Sequence, residues 1–178
     1  LVRAKGPRGL TFDAVAKRLG KSKQAVLYWF PSKDRLLAET LLPDLAAEAG
    51  AGRAALRGRH GADAVRAFVE AVASFHLEDL DRFRLVYLAP RSGPRGGGPA
   101  VPGQSAPCLT GTTAPMLAEL AACLDGPEPA RLQDAAAIHA AVLGLILTVA
   151  LAEPGRDVDA HDPADLVSAL ARRLSGES

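Results

Sequence analysis

The chain has 178 residues, of which 48% are hydrophobic and only 4% aromatic, and its formal net charge is +1. This length and apolar content suffice to bury a substantial core. The two cysteines, Cys108 and Cys123, lack metal-ligand spacing and are too few for a disulfide framework, which fits a reducing cytoplasm. Because aromatics are scarce, the core must be mostly Ala, Leu and Val, and this composition predicts an all-helical fold.

The near-neutral total hides an uneven distribution of charge. Residues 1–35 contain nine Lys and Arg against two Asp, a net of +7, so the rest of the chain has a net charge of −6. A basic segment joined to an acidic body is the electrostatic pattern expected of a protein that binds DNA. The alternative is a solvated basic face without a partner.

Two short helical patterns meet at a glycine in this basic segment. Thr11 is placed to cap a first helix over 12–19, and Ser22 is placed to cap a second helix that runs to about Phe30. Gly20, between them, suits the left-handed residue with which many helices end. The apolar face of the first helix is predicted to comprise Phe12, Val15, Ala16 and Leu19.

The spacing around the glycine is typical of a helix-turn-helix. Two helices joined by so short a turn cross steeply, and such a crossing needs a small residue at the contact and an apolar residue opposite it. Ala16 and Val26 meet those needs. The amino end of the second helix then presents to a phosphate its unpaired backbone N–H groups together with Lys21, Ser22, Lys23 and Gln24.

The run GKSKQAVLYWFPSKDRLL, residues 20–37, resembles the amino-terminal domain of TetR-type bacterial transcriptional regulators. In that family a Gly-x-Ser turn leads into a reading helix that ends in aromatics, and a Phe-x-Ser-Lys link opens the next helix. The resemblance is specific over Gly9 to Leu42, and beyond it only the helical layout agrees. It implies a DNA-binding domain over 1–42, whose first helix is truncated at Leu1 to Lys5, and a ligand-binding and dimerisation domain over 43–178.

The same resemblance implies which residues touch DNA. Thr11, Tyr28 and Lys33 are expected at phosphates. Lys21, Lys23 and Gln24 are expected to face base edges or the adjoining backbone. The tyrosine stands one position later than the family's usual Leu-Tyr pair, so either Tyr28 or Trp29 makes the contact and the other is expected in the core.

A third helix is predicted to begin after the cap Ser32, near Lys33, and to run to Pro43, continuing with a kink to Ala49. Residues 51–61, rich in Gly and Arg, are predicted to form a link.

Helical patterns continue through the body. Apolar residues recur at helical spacing over 63–78 and 81–89, and again over 114–124. Between them, residues 90–107 hold five prolines and five glycines, a composition that cannot pack. An unstructured surface loop is expected there, with a lid over a pocket as the alternative.

The longest apolar stretch is 135–152, eighteen residues without a charge. A membrane span is rejected because the stretch is rich in alanine and lacks flanking basic or aromatic anchors. A helix that is apolar all round must instead be covered on all sides, partly by a second copy of the chain. Together with a last helix over 163–174 it would form a four-helix dimer seam, as the resemblance also implies. The predicted interface residues are Leu143, Leu147, Leu151, Leu166, Leu170 and Leu174.

If the TetR plan holds, the body encloses a pocket for a small apolar or amphipathic effector. The residues assigned to it are Phe68, Val72, Phe75, His76, Phe83, Tyr87, Met116, Leu120 and Ile138. Periodicity alone places these residues inside, so a filled core is the alternative.

No catalytic or metal-binding arrangement is predicted. The sequence has no Gly-x-Ser-x-Gly motif and no phosphate-binding glycine loop, and no cofactor is expected. His76 and His139 are interpreted as core or interface histidines, because neither has a Cys, His or carboxylate at a chelating offset. An enzyme would need both histidines and a carboxylate to converge in one polar cavity.

Together with the TetR resemblance, these patterns predict a cytoplasmic, nucleoid-associated, homodimeric repressor, released from a pseudo-palindromic double-stranded operator by a small effector, with no membrane partner. The alternative is a ligand-independent DNA-binding or protein-interaction dimer with a filled body core.

Overall fold

The computed structural model describes residues 10–88, 109–152 and 161–176, and all regular structure in these ranges is helical, which confirms the predicted fold class. The elements are α1 (Phe12–Leu19), α2 (Lys23–Trp29), α3 (Lys33–Leu56), α4 (Gly61–Leu77), α5 (Leu80–Phe83), a π-helical turn (Arg84–Leu88), α6 (Leu109–Cys123), α7 (Glu128–Leu151) and α8 (Pro163–Leu174). The expected helix at Leu1 to Lys5 and the Pro- and Gly-rich loop, 90–107, lie outside the described residues.

The third predicted helix is longer than its sequence suggested. It continues through Pro43 to Leu56, so the predicted link over 51–61 was wrong, and the connection to α4 occupies only residues 57–60. Tertiary burial accounts for the extension, because Ala49 and Leu56 are buried and this outweighs the poor helix propensity of nearby glycines. Gly52 also has a packing role, since a Cβ there would lie 2.6 Å from Met116 Sδ.

The chain divides into two compact units. Among the described residues, the first comprises 10–45, 81–88 and 109–112, and the second comprises 46–80, 113–152 and 161–176. The core of the first unit includes residues of the π-helical turn, which the sequence had suggested for the body. Its buried cluster consists of Leu10, Leu36, Leu37, Leu41, Leu45 and Val86, with Phe12, Val15, Phe30, Leu85 and Tyr87 packed against it. The domain boundary at 42/43 stays a prediction.

In the second unit, α4 packs against both α7 and α8, and α7 packs against α8. The largest apolar side chains of this core are fully buried: Phe68, Val69, Val72, Met116, Leu120, Val142 and Ile146. The apolar periodicity of α4 explains its position, since Val65, Phe68, Val69 and Val72 all fall on its buried face.

One carboxylate lies inside this core, between two histidines. Glu48, on α3, is only 1% exposed, and its Oε1 lies 2.7 Å from His139 Nε2. Its Oε2 lies 3.5 Å from His76 Nε2. Both histidines are buried, which confirms their interpretation as core residues, although no sequence pattern indicated Glu48 as their partner.

This cluster is a structural contact rather than an open site. The three side chains meet as an enzyme would require, but burial of all three leaves a substrate no approach from solvent. Within the described ranges, no group of three or more His, Cys, Asp or Glu has an arrangement that could hold a metal ion. The cluster links α3, α4 and α7.

Removing His139 is predicted to destabilise the body strongly. His139→Leu leaves the Glu48 carboxylate buried without its closest polar partner, and we expect the free energy of unfolding to fall by about 3–5 kcal/mol. The double variant Glu48→Leu/His139→Leu should regain much of that loss, because it no longer buries a charge. Urea unfolding followed by circular dichroism measures both. Equal stability of the single and double variants would contradict this account.

Candidate nucleic-acid interface

The turn between α1 and α2 is built as its sequence predicts. Thr11 caps α1, since its Oγ1 accepts a hydrogen bond of 3.1 Å from the Ala14 N–H. Ser22 caps α2, accepting a bond of 3.2 Å from the Ala25 N–H. Gly20 has φ 62° and ψ 31°, the left-handed conformation in which a Cβ would be strained. These three residues fix where α1 ends and where α2 begins.

Ala16 and Val26 are the buried residues of α1 and α2, and the two helices pack against each other. The Lys21 N–H donates to the Ala16 carbonyl at 3.0 Å, so the turn is also held by its backbone. The predicted apolar face of α1 is confirmed except at Leu19, which is 60% exposed. Leu19 ends α1 beside the turn and lies off the buried face.

The residues predicted to meet DNA at the start of α2 are all exposed, namely Lys21, Ser22, Lys23 and Gln24. At about 100° per residue, Gln24 and Tyr28 lie on the side of α2 opposite to the buried Val26. This face therefore combines an amide, which can pair with a base edge, and a phenol hydroxyl, which can donate to a phosphate.

Tyr28 and Trp29 are both exposed, by 82% and 73%, so the expectation that one of them belongs to the core was wrong. A helix of only seven residues that buries Val26 alone has no room to turn a second large side chain inward. The two rings pack edge to face, with centroids 5.5 Å apart. Trp29 lies about 60° from Val26 around α2, away from the face shared by Gln24 and Tyr28.

An ion pair that the sequence did not indicate connects the two helices. Lys23 Nζ lies 2.9 Å from Asp13 Oδ2, and both side chains are at least half exposed. The pair contributes little to stability in water, but it places a negative charge beside the reading helix and holds the Lys23 ammonium towards α1. The two residues stand ten positions apart, and no local pattern pairs them.

Lys33 lies exposed at the first residue of α3. Ser32 precedes it and accepts a hydrogen bond of 3.1 Å from the Arg35 N–H, as predicted. The start of α3 therefore combines an ammonium group with the partial positive charge of a helix amino end, which together favour a phosphate.

The residues assigned to an effector pocket fall into both compact units. Phe83 and Tyr87 lie in the first, with ring centroids 5.0 Å apart, and the other seven lie in the second. Of those seven, Phe68, Val72, Met116 and Leu120 have no exposed surface, and Phe75 is partly exposed. The assignment of these nine residues to an effector pocket stays a prediction.

The leucines assigned to a dimer seam remain partly exposed in the single chain. Leu151 is 63% exposed, and the other five are of intermediate burial. Among the described residues, α7 is the one helix long and apolar enough to cross a membrane by length and composition, yet only 33% of its apolar window is buried.

Comparison with known proteins supports the sequence resemblance. Residues 1–40 match the family of bacterial regulatory proteins described as the tetR family. The crystal structure of SCO4313, designated a regulatory protein, has a TM-score of 0.72 over 98% of this chain and 89% of that chain, at 22% identity. PfmR from Thermus thermophilus, a TetR family transcriptional regulator, has a TM-score of 0.61 over 99% of this chain and 93% of that chain, at 20% identity. No curated protein matches the chain.

The exposed, capped helix of the turn and the family match define the class of the protein as a DNA-binding transcriptional regulator with a helix-turn-helix. Within that class, residues 1–40 are similar to the tetR family of bacterial regulatory proteins. At their low identity, the two solved structures show that the rest of the chain shares their fold.

Substitutions at Gln24 and Lys33 are predicted to weaken DNA binding in different ways. If Gln24 pairs with an adenine, Gln24→Ala relaxes base preference at one position by about 1–3 kcal/mol. Lys33→Ala should weaken binding to every sequence alike and reduce the slope of log affinity against log salt by about one. Gel-shift titrations against matched and base-substituted duplexes measure both effects. A uniform loss for Gln24→Ala, or a sequence-dependent loss for Lys33→Ala, would refute the assignment concerned.

Asp13→Asn is predicted to strengthen DNA binding at low salt. The change removes a negative charge beside α2 and releases the Lys23 ammonium, so affinity for any duplex should rise about two- to fivefold. Added salt should shrink this gain. Asp63→Asn, which removes an exposed carboxylate paired with Arg59 in the second unit, is the matched control and should leave affinity unchanged. Equal affinities of Asp13→Asn and the wild type at low salt would exclude a role for the ion pair.

Proposed function

We propose that the chain is a homodimeric repressor that binds a pseudo-palindromic operator and is released from it by a small apolar or amphipathic effector. The observation on which this proposal rests is the capped helix α2, anchored at Val26 and exposing Lys21 to Gln24 together with Tyr28. Such a regulator acts in the cytoplasm, at the bacterial nucleoid.

Dimerisation is supported by the apolar surface of α7. This helix has a mean hydropathy of 2.0 over its most apolar eighteen residues, and only 33% of these residues are buried in the single chain. Leu132 and Leu151 are 45% and 63% exposed. Burying such surface against a second chain gains about 25 cal/mol per Å². The partly exposed leucines of α8 extend the same apolar surface.

The operator geometry follows from the dimer. Two identical reading helices meet two half-sites related by two-fold symmetry, and they enter successive major grooves only if they stand about 34–36 Å apart. An effector releases the protein only if it binds better to a conformation in which that spacing is wrong. Repression and its relief then correspond to the two conformations of one equilibrium, one with the DNA-binding spacing and one without it.

A second candidate is a ligand-independent DNA-binding or protein-interaction dimer. The close packing around Gly52 favours it, because Met116 and Phe68 approach to within the space of one methyl group. At that point the body is filled rather than hollow. As a DNA-binding dimer, this candidate shares the DNA contacts of the first and has no effector. As a protein-interaction dimer, it has neither.

The test is a gel-shift titration of the purified full chain with an operator selected from random duplexes. The selected sequence should contain two inverted half-sites about 10 base pairs apart, centre to centre. Inserting about 5 base pairs turns the half-sites to opposite faces of the duplex and should lower affinity by at least about a hundredfold.

The seam variant Leu166→Glu/Leu170→Glu should be monomeric by light scattering, and its operator affinity should fall as much as that of the wild type falls on the insertion. The control variant Arg172→Glu/Arg173→Glu changes exposed residues of the same helix and should stay dimeric. Selection of a single half-site, or indifference to the insertion, would contradict a dimeric reader.

A further inference from the structure

The second unit contains an open cleft at one end of its helices. Its volume is about 420 Å³, within the range of sites for small organic molecules. Residues of α4, α7 and α8 line it, together with Ser175 and with Leu124 and Asp125, which follow α6. Somewhat more than half of the lining surface is apolar. The main lining side chains are Val65, Leu124, Asp125, Asp134, Ile138 and Leu174.

The cleft differs from the predicted effector pocket. Of the nine residues assigned to that pocket, only Ile138 lines it. The fully buried Phe68, Met116 and Leu120 belong to the packed interior instead. Sequence periodicity could not indicate the cleft, because its walls are assembled from three helices and from turns that are far apart in the sequence.

The charge of the cleft is negative. Its lining includes the carboxylates of Asp125 and Asp134 and no Lys, Arg or His. The carboxyl end of α6 adds to this charge, since its last turn has no basic residue. The amino end of α4, at Gly61, opposes it with a partial charge of about +0.5, which is small against two full negative charges. Arg172 and Arg173, in the last turn of α8, also oppose it, but neither lines the cleft.

From this combination of apolar walls and two carboxylates we infer that the cleft binds a lipophilic organic cation. The carboxylates attract the charge and reject anions of the same size, while Val65, Ile138 and Leu174 cover the apolar part of the ligand. The inference deepens the proposed function, and it rests on that proposal only in regarding the ligand as the effector.

The position of the cleft gives the ligand a route to the dimer seam. Asp134 and Ile138 belong to α7, and Leu174 is the last residue of α8, the two helices assigned to the seam. A molecule in the cleft contacts both of them and α4 as well, through Ala62 and Val65. Its binding therefore favours one packing of α7 and α8 over another, which is how a ligand shifts a dimer between two spacings.

The test compares two probes of matched shape and opposite charge, tetraphenylphosphonium and tetraphenylborate, by isothermal titration calorimetry with the full chain. We expect the phosphonium to bind once per chain and more tightly than the borate. Asp125→Asn/Asp134→Asn should weaken phosphonium binding about five- to thirtyfold and abolish the preference over the borate.

Two control variants separate the cleft from general charge and folding effects. Glu70→Gln/Glu78→Gln removes two carboxylates that do not line the cleft and should leave phosphonium affinity unchanged. Ala62→Phe places a ring in the cleft from its exposed wall and should abolish binding while leaving the circular dichroism spectrum unaltered. Equal or tighter binding of the borate, or full affinity in the Asp125→Asn/Asp134→Asn variant, would overturn the inference.

A gel shift with the selected operator distinguishes failure of the cleft from failure of the proposed function. Phosphonium binding that also releases DNA from the wild type, but not from Asp125→Asn/Asp134→Asn, supports both. Binding that leaves DNA affinity unchanged supports the cleft and contradicts effector control. If the chain binds the operator normally but has no affinity for the phosphonium, the inference that the cleft binds a cation is wrong, and the DNA-binding function is unaffected.

Discussion

The packing of α1 against α2 is the constraint on which the proposed function depends. Ala16 is small enough to let the helices approach, Val26 fills the contact, and Gly20 supplies the left-handed turn between them. Once α2 is packed against α1, the direction of each side chain around α2 is determined by its position in the helix. Because Val26 must face inward, Gln24 and Tyr28 must face out, and the basic amino end of α2 is presented to solvent.

A second constraint lies in the second unit, where carboxylates occur in two different settings, one buried and one open to solvent. The Glu48 carboxylate is buried against His139 and His76, so it joins three helices and offers nothing to an external ligand. Asp125 and Asp134 instead line an open apolar cleft, where their charge can act on a molecule from solvent. The same type of group is structural in one setting and available for recognition in the other, and burial alone makes the difference.

Local interactions allowed the helix-turn-helix, α1 and α2, to be predicted from sequence, but much of the second unit could not be predicted in this way. Caps at Thr11, Ser22 and Ser32 and the glycine turn depend on neighbouring residues, so their positions follow from the chain itself. Contacts between residues far apart in the sequence cannot be predicted from neighbouring residues. Glu48 meets His139 across 91 positions, and the extension of α3 to Leu56 depends on tertiary packing that overrides local propensity. The exposure of Trp29 was not predicted, because an aromatic residue in a short helix can be buried in a core or exposed to solvent, and the local sequence does not distinguish the two.

The most direct test of the central claim, that α2 enters the major groove from each half of a dimer, is methylation interference on the bound operator. Dimethyl sulfate modifies guanine N7 in the major groove and adenine N3 in the minor groove. The account predicts interference at guanine N7 in two patches about 10 base pairs apart, related by two-fold symmetry. Interference at adenine N3 alone, or in a single patch, would contradict it.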